Sequence, residues 1–341
     1  MKFAKLIYLV SFAALPLFAD TAPAVKVDTG LPNPSARPQI ATKYVDIFAD
    51  FLYWKASEVA DWATVISIHQ DTLRTHYKTL SLDWKPGFRI GLGYEMAHDQ
   101  WDTQIYYTYY RSHTTKHAHS NIGRVTPAFL GTKISLLSLL GDYESGKLRY
   151  ELAYDILDWD LGRSFFVSKG LAFRPVIGLK GGWIDQSFHT HWKNIVASGI
   201  VIPITSKEKL LNNFGGGGPK AGIGGKWIFA AYTNLSFQVV GDFAAAFMWG
   251  HWDLTDKFRD SLGTEVVIKN GRRNFGAWML QGFLGLGMDL NFNQERSHFS
   301  LNAGYEIQDW FNQFQLIDLT TGTEDKDLLL QGLTLDIRFD F

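Results

Sequence analysis

At 341 residues, with a formal charge of −1 and twelve Trp and fourteen Tyr, the chain has no basic excess to mark a nucleic-acid binder. It contains no Cys, which excludes a disulfide framework and a thiolate zinc centre. The length allows two domains, but all-β barrels of this size run as one unit.

Residues 1–19 read as a secretory signal: Lys2 and Lys5 precede an apolar core from Leu6 to Leu17, with cleavage expected after Ala19. That core is shorter than the ~20 apolar residues a membrane helix needs. Residues 20–42 carry Pro23, Pro32, Pro34 and Pro38 among Ala, Thr and Ser, the composition of an unpacked segment. Residues 43–341 are expected to form a single domain.

From Tyr44 onward the hydrophobic period is two, the signature of strands that show alternate side chains to opposite faces. Val45, Ile47, Phe51 and Tyr53 oppose Asp46 and Asp50. Trp84, Phe88, Ile90, Leu92 and Tyr94 oppose Lys85, Arg89 and Glu95. Trp101, Ile105, Tyr107 and Tyr109 oppose Asp102 and Gln104. In the fourth segment Leu148, Tyr150, Leu152, Tyr154 and Ile156 are expected to face lipid, opposite Lys147, Arg149, Glu151 and Asp155. Leu171, Phe173, Ile177, Leu179 and Trp183 oppose Arg174 and Lys180. The sixth segment, Gly222 to Ala230, is the weakest, with Ile223 and Trp227 against Lys226. Phe237, Val239, Phe243 and Trp249 oppose Asp242; Trp278, Leu284, Leu286 and Phe292 oppose Asp289; Phe299, Leu301 and Tyr305 oppose Glu306. The chain ends on Leu333, Leu335, Ile337, Phe339 and Phe341 alternating with Asp336, Arg338 and Asp340.

The connections alternate in length. Long stretches (57–82, 112–145, 188–217, 252–274, 312–326) follow every upward segment, and short ones every downward segment: 97–100, 160–169, 232–234 and 293–296. This predicts an all-β fold: a transmembrane up-and-down antiparallel β-barrel of about ten strands (ten to twelve), with periplasmic termini and long extracellular loops. Extra strand pairs within 112–145 (Lys133 to Leu137) or 188–217 (Asn194 to Thr205) would widen it; the same segments could instead fold inward as constrictions. Charges cannot face hydrocarbon cheaply, at ~2–4 kcal/mol for each mid-bilayer Lys or Arg. The expected lumen lining is therefore Asp46, Asp50, Lys85, Arg89, Glu95, Lys147, Arg149, Glu151, Asp155, Arg174, Lys180, Asp242, Asp289, Glu306, Asp336 and Arg338, joined by Asp102, Lys226 and Asp340. Such a lining suits an aqueous channel or a paired polar core filling a small barrel.

His117-x-His119 and His189-x-His191 set two imidazoles on one strand face, a spacing a divalent metal can use, but no third ligand accompanies them. Gly215-Gly216-Gly217-Gly218-Pro219-Lys220 lacks the spacing of a phosphate loop and reads as a flexible loop end. No cofactor motif is present. His98 and Asp99 fall in a short turn, and no loop shows the acidic pair plus Asp-His arrangement of omptin-like proteases, so no enzyme is expected.

Several blocks resemble the Legionella-type major outer membrane protein family, including its relatives in environmental chlamydiae. They are Ala49-Asp50-Phe51-Leu52-Tyr53-Trp54-Lys55-Ala56, Gly87 to Tyr94 followed by Trp101-Asp102-Thr103, and above all Tyr154 to Arg163 with Arg174 to Gln186. Gly304 to Trp310 and Gln331 to Leu335 complete the match. The resemblance implies a porin-like barrel of a Gram-negative outer membrane, abundant at the surface and passing small hydrophilic solutes. The expected alternative is a filled, structural or adhesive surface barrel. Cysteine cross-linking, used by better-known major outer membrane proteins, is excluded here. Expected partners are outer-membrane lipid and lipopolysaccharide, the barrel-assembly machinery and further copies of the chain.

The terminal Phe339 and Phe341 resemble the signal that this machinery reads. Deleting Phe341 is predicted to lower the yield of membrane-inserted, heat-modifiable protein severalfold. Electrophoresis of cell fractions with and without boiling checks this; an unchanged yield removes the signal role.

Overall fold

A computed structural model describes residues 44–58, 60–69, 71–96, 101–168, 170–292, 297–318 and 322–341. The expected signal at 1–19, the Pro-rich segment at 20–42 and the turns at 97–100 and 293–296 lie outside these. The strands in chain order are β1 (Tyr44–Glu58), β2 (Asp61–His69), β3 (Thr72–Thr79), β4 (Trp84–Glu95), β5 (Trp101–His119), β6 (Arg124–Pro127) and β7 (Asp142–Arg163). After them come β8 (Phe165–Phe166), β9 (Leu171–Ala197), β10 (Ile200–Ala231), β11 (Leu235–Asp260), β12 (Glu265–Phe292), β13 (Ser297–Asp318) and β14 (Gly322–Asp340). One short helix, α1 (Leu130–Ile134), and a 3-10 turn (Leu136–Leu139) lie between β6 and β7.

Ten of the strands close a ring, in the order β1-β4-β5-β7-β9-β10-β11-β12-β13-β14 and back to β1, every pair antiparallel. Closure is what a bilayer demands, because a sheet edge in hydrocarbon would leave its N–H and C=O groups without partners. The last residue completes the seam: the Phe341 N–H donates to the Val45 carbonyl and the Val45 N–H to the Phe341 carbonyl, both at 3.1 Å. The remaining strands are additions to the ring. β2, β3 and β6 form a small sheet joined to the outer end of β7, and β8 borders the inner end of β9.

The strands far outrun the membrane. β10 has 32 residues and β12 has 28, against the ~9–11 that a tilted strand needs to cross. The stretches expected to be long loops are therefore mostly strand. Residues 188–217 carry β9 and β10 upward to a tip at Ser198 and Gly199, and β11 turns into β12 at 261–264. Among the described residues no extra pair widens the ring, because Asn194–Thr205 is the top of an existing hairpin and 133–137 is helical. The weak sixth segment is the end of the longest strand. Its upper part was illegible because above the lipid the two faces exchange polarity.

That exchange accounts for the largest correction. Register places Phe51, Phe88, Tyr109, Asp155 and Trp183 in one row, and Phe51 and Phe88 face out. Asp155 therefore faces outward as well, and with it Lys147, Arg149 and Glu151, while Leu148, Tyr150, Leu152, Tyr154 and Ile156 are buried inside the barrel. Alternation separates two faces but does not say which is inside. Along the upper β7 the outer face meets water, so charge is favoured there and the apolar residues fill the interior. Asp155 lies lowest of the four, level with Tyr109 and Trp183, which with Trp84, Trp249 and Trp278 form an outer belt of aromatic rings on the wall. It is neutralised by both oxygens meeting Arg111 Nη2 at 2.7 Å, with the Tyr107 hydroxyl donating at 2.6 Å and the guanidinium 4.0 Å from the Tyr109 ring centre.

The glycine run expected to be a loop end is the middle of β10. Gly216 pairs with Gly182 of β9 and with Gly250 of β11, and the Phe214 ring lies over this bare backbone. A Cβ on Gly216 would meet the Gly250 Cα and the Phe214 ring at 2.7 Å. Gly216→Val is predicted to cost ~1–3 kcal/mol as an overpacked site. A lowered unfolding midpoint on boiled and unboiled gels checks it, and an unchanged midpoint contradicts this packing.

Candidate functional site

The inward positions divide the lumen into two layers of different chemistry. The lower half, toward the termini, is ionic. Arg89 reaches from β4 to Asp50 of β1 (Nη1 to Oδ2, 2.6 Å) and to Glu306 of β13 (Nη2 to Oε1, 2.7 Å), while its Nε donates to Thr108 at 3.1 Å. Glu306 also accepts from Gln281, Gln308 and Thr334. Opposite, Asp158 of β7 lies between Lys180 of β9 at 2.9 Å and Lys220 of β10 at 3.0 Å, and Lys220 also meets Asp160 at 2.9 Å and the Tyr106 hydroxyl at 2.5 Å. Lower still, Arg174 pairs with Asp102 and Lys226 with Asp289, His298 lies 2.9 Å from Asp340, and Arg338 is 3.7 Å from Asp46. Removing one member of such a network strands a desolvated charge, so each holds the others in place.

Between these clusters lies a cavity of about 220 Å³, bordered by Asp50, Arg89, Tyr106, Lys220, Asp242 and Glu306. Carboxylates outnumber cations on the inward positions of this half, so its field favours cations.

The upper half is filled mainly by aromatic rings, with the buried Glu58, Gln186 and Asn212 set among them. Trp54, Tyr110, Tyr150, Tyr154, Phe188, Phe214, Trp252, Trp310 and Phe314 come from seven strands and are each at most 1% exposed, so no water-sized passage borders them. The rings interlock: Phe214 to Trp252 is 4.4 Å between centres, Tyr150 to Phe188 is 4.6 Å and Phe188 to Phe314 is 5.0 Å. Several of their polar atoms are met locally, with Trp54 Nε1 donating to Thr334, the Tyr154 hydroxyl to Gln308 and Trp252 Nε1 to the Gln313 carbonyl.

Residues 128–140 fold inward above this layer, the constricting arrangement left open by the sequence. Phe129 packs 5.4 Å from the Phe188 ring centre, and Leu137 is buried. Two acids hold α1: the Gly131 N–H donates to Asp256 at 2.8 Å, and the Thr132 N–H and hydroxyl donate to Glu208 at 2.8 and 2.6 Å.

Of the expected lining residues, Asp46, Asp50, Lys85, Arg89, Glu95, Arg174, Lys180, Asp242, Asp289, Glu306, Asp336 and Arg338 lie on inward positions, most of them in this ionic half. Lys147, Arg149, Glu151 and Asp155 do not. Asp158, Asp160, Lys220 and His298 were missed. The first two followed from the inverted face of β7, and Lys220 is masked by the glycine run before it. The Asp-Trp-Asp spacing at 158–160, with its apolar ring between two acids, was the available signal for the true face. His117 and His119 point outward, and among the described residues no group of three metal-ligating side chains exists. His189 and His191 are flanked by lysines. Partial burial, then Lys209 and Lys207 respectively, hold their imidazoles below the usual range. His98 and Asp99 lie outside the described residues. Phe339 and Phe341 face outward in the inner aromatic belt.

A closed ring, an apolar belt on its outer wall and a charged interior together define an outer-membrane β-barrel protein. Residues 37–341 match the family described as Legionella pneumophila major outer membrane protein precursor. The chain belongs to that family. No curated protein matches it. Among solved structures it is similar to the outer membrane protease OmpT from Escherichia coli (9% identity, TM-score 0.36, covering 88% of this chain and 96% of that one). It is also similar to a monoaromatic hydrocarbon channel, CymD (10%, 0.34, 94% and 94%), and to a Pseudomonas aeruginosa FadL homologue (10%, 0.29, 91% and 92%).

Glu208 and Asp256 lie together beneath α1, and burial followed by repulsion from Asp256 pushes Glu208 well above the usual carboxylate range; burial also raises Asp256. Because the folded value is raised, the stability of this latch is full at low pH and is lost as pH rises and the second carboxyl ionises. Cleavage at Lys133 by an added protease is predicted to quicken severalfold as pH rises above the usual carboxylate range, and the rise should vanish in Glu208→Gln. Equal rates across pH in the parent protein contradict the latch.

Proposed function

We propose that the barrel is a porin-like conduit for small hydrophilic solutes whose path is shut in this conformation by the aromatic layer and the segment over it. The observation that carries this reading is the polar, mixed-charge cavity in the lower lumen. A barrel serving only as an anchor has no need of desolvated ion pairs arranged around a space that can hold solute. The excess of carboxylates gives a preference for cations and uncharged molecules over anions. Passage then depends on displacing residues 128–140 and the rings of Trp310 and Phe314 beneath them.

A second reading is favoured by the complete burial of Trp54, Trp252 and Trp310: a permanently filled barrel that anchors tall hairpins at the cell surface, with a structural or adhesive role. Planar-bilayer conductance separates the two. The parent protein is expected to give rare, small, cation-selective openings. Trp310→Ala combined with Phe314→Ala should raise open probability severalfold, with heat-modifiability kept as the control for folding, since such truncations cost ~3–5 kcal/mol each. A folded double variant that never conducts leaves only the anchoring role.

A further inference from the structure

Above the outer aromatic belt the barrel wall carries a two-row grid of basic side chains. Lys147, His191, Lys207 and Arg259 stand in one register row across β7, β9, β10 and β11, and Arg149, His189, Lys209 and Lys257 in the next. The six cations are exposed and border a shallow outward-facing hollow of about 410 Å³. Of these six only Arg149 makes an ion pair among the described residues, with Glu151 at 2.6 Å, while Glu265 of β12 stands opposite Arg259 in the register. Lys209 faces Lys257 directly, and Lys207 faces Arg259. Like charges directly opposite one another destabilise a sheet, and the chain as a whole is near neutral. A surface with this local excess is complementary to a polyanion.

The position of the grid says which one. His189 lies six residues above Trp183 on the same outward face, ~20 Å along the strand and roughly 15 Å above the belt once the strand tilt is allowed for. Below the grid that face passes Ser187 and Asp185, level with Asp253 of β11, and then Trp183 before it reaches the lipid-facing Leu179 and Ile177. A lipid seated on the wall below would bring its sugar region level with the grid. We propose that the grid binds the phosphorylated inner core of lipopolysaccharide, tying one or more lipid molecules to the β7–β11 side of the barrel. The spacing of the rows, two residues apart on every strand, offers two tiers of anion contacts instead of one. Bound phosphate removes the repulsion between Lys209 and Lys257. The two imidazoles between the lysine columns donate or accept hydrogen bonds to sugar hydroxyls while neutral.

The proposal does not depend on conduction, because these side chains lie outside the wall. The test uses the whole refolded barrel in detergent, with retention of lipopolysaccharide read by native mass spectrometry and affinity by thermophoresis. Three probes are compared: lipopolysaccharide with a phosphorylated core, the same material after phosphate removal, and heparin. The parent protein is expected to prefer the phosphorylated form about tenfold, with the preference shrinking as salt screens it. Lys207→Gln, Lys209→Gln, Lys257→Gln and Arg259→Gln combined should lose that preference, with unchanged heat-modifiability and conductance. The pair Lys147→Gln and Arg149→Gln, on a different strand, should lose part of it. Affinity within twofold of the parent in a folded quadruple variant overturns the proposal. So does loss of heparin binding with lipopolysaccharide binding intact, which would assign the grid to an external sulfated glycan.

Discussion

Everything in this molecule follows from one requirement: in hydrocarbon, each backbone N–H and C=O must find a partner within the protein. The ten-membered ring meets it only if first and last strands join, which is why the reciprocal hydrogen bonds between Val45 and Phe341 matter more than any side-chain contact nearby. With the ring closed, the side chains are sorted by the pleat alone, one set to lipid and the other to the interior. The interior of ten strands is narrow, so whatever points inward must pack against something. In the lower half that something is opposite charge, and in the upper half it is other rings.

The two layers divide the work. Arg89 with Asp50 and Glu306, and Asp158 with Lys180 and Lys220, tie strands together across the lumen rather than along the sheet, and so resist distortion of the cross-section. Aromatic packing above them excludes water, and α1 covers it through hydrogen bonds to Glu208 and Asp256. A latch of paired acids is a weaker restraint than the ion-pair belt, because its stability depends on keeping a proton. The part of the molecule nearest the outside is thus the part most easily moved.

Strand count and antiparallel order were legible in the sequence, because lipid imposes a strict period of two and the turns on one side must be short. Alternation also carries Trp84, Tyr109, Trp183, Trp249 and Trp278 to the outer face near the upper boundary, whereas Tyr150 on the inverted β7 is buried inside. Errors concentrated where the environment changes along a single strand. On β7 the alternation persists, but above the lipid the rule that apolar means outward reverses, and Lys147, Arg149, Glu151 and Asp155 were assigned to the lumen. Residues 188–217 and 252–274 read as loops for the same reason, since a strand with water on one side and a ring-filled core on the other does not carry a membrane-spanning pattern.

What the amino-acid sequence determined by itself was a local property: the alternation of apolar and polar side chains, fixed residue by residue through the pleat, together with the family to which its motifs point. The identity of each charge's partner was decided only in three dimensions, because Arg89 and Glu306 are 217 residues apart and meet only when the cylinder closes. Whether the lumen holds water or rings was decided there too. It depends on the sum of side-chain volumes projected into one cross-section by ten strands, a quantity that no single segment carries.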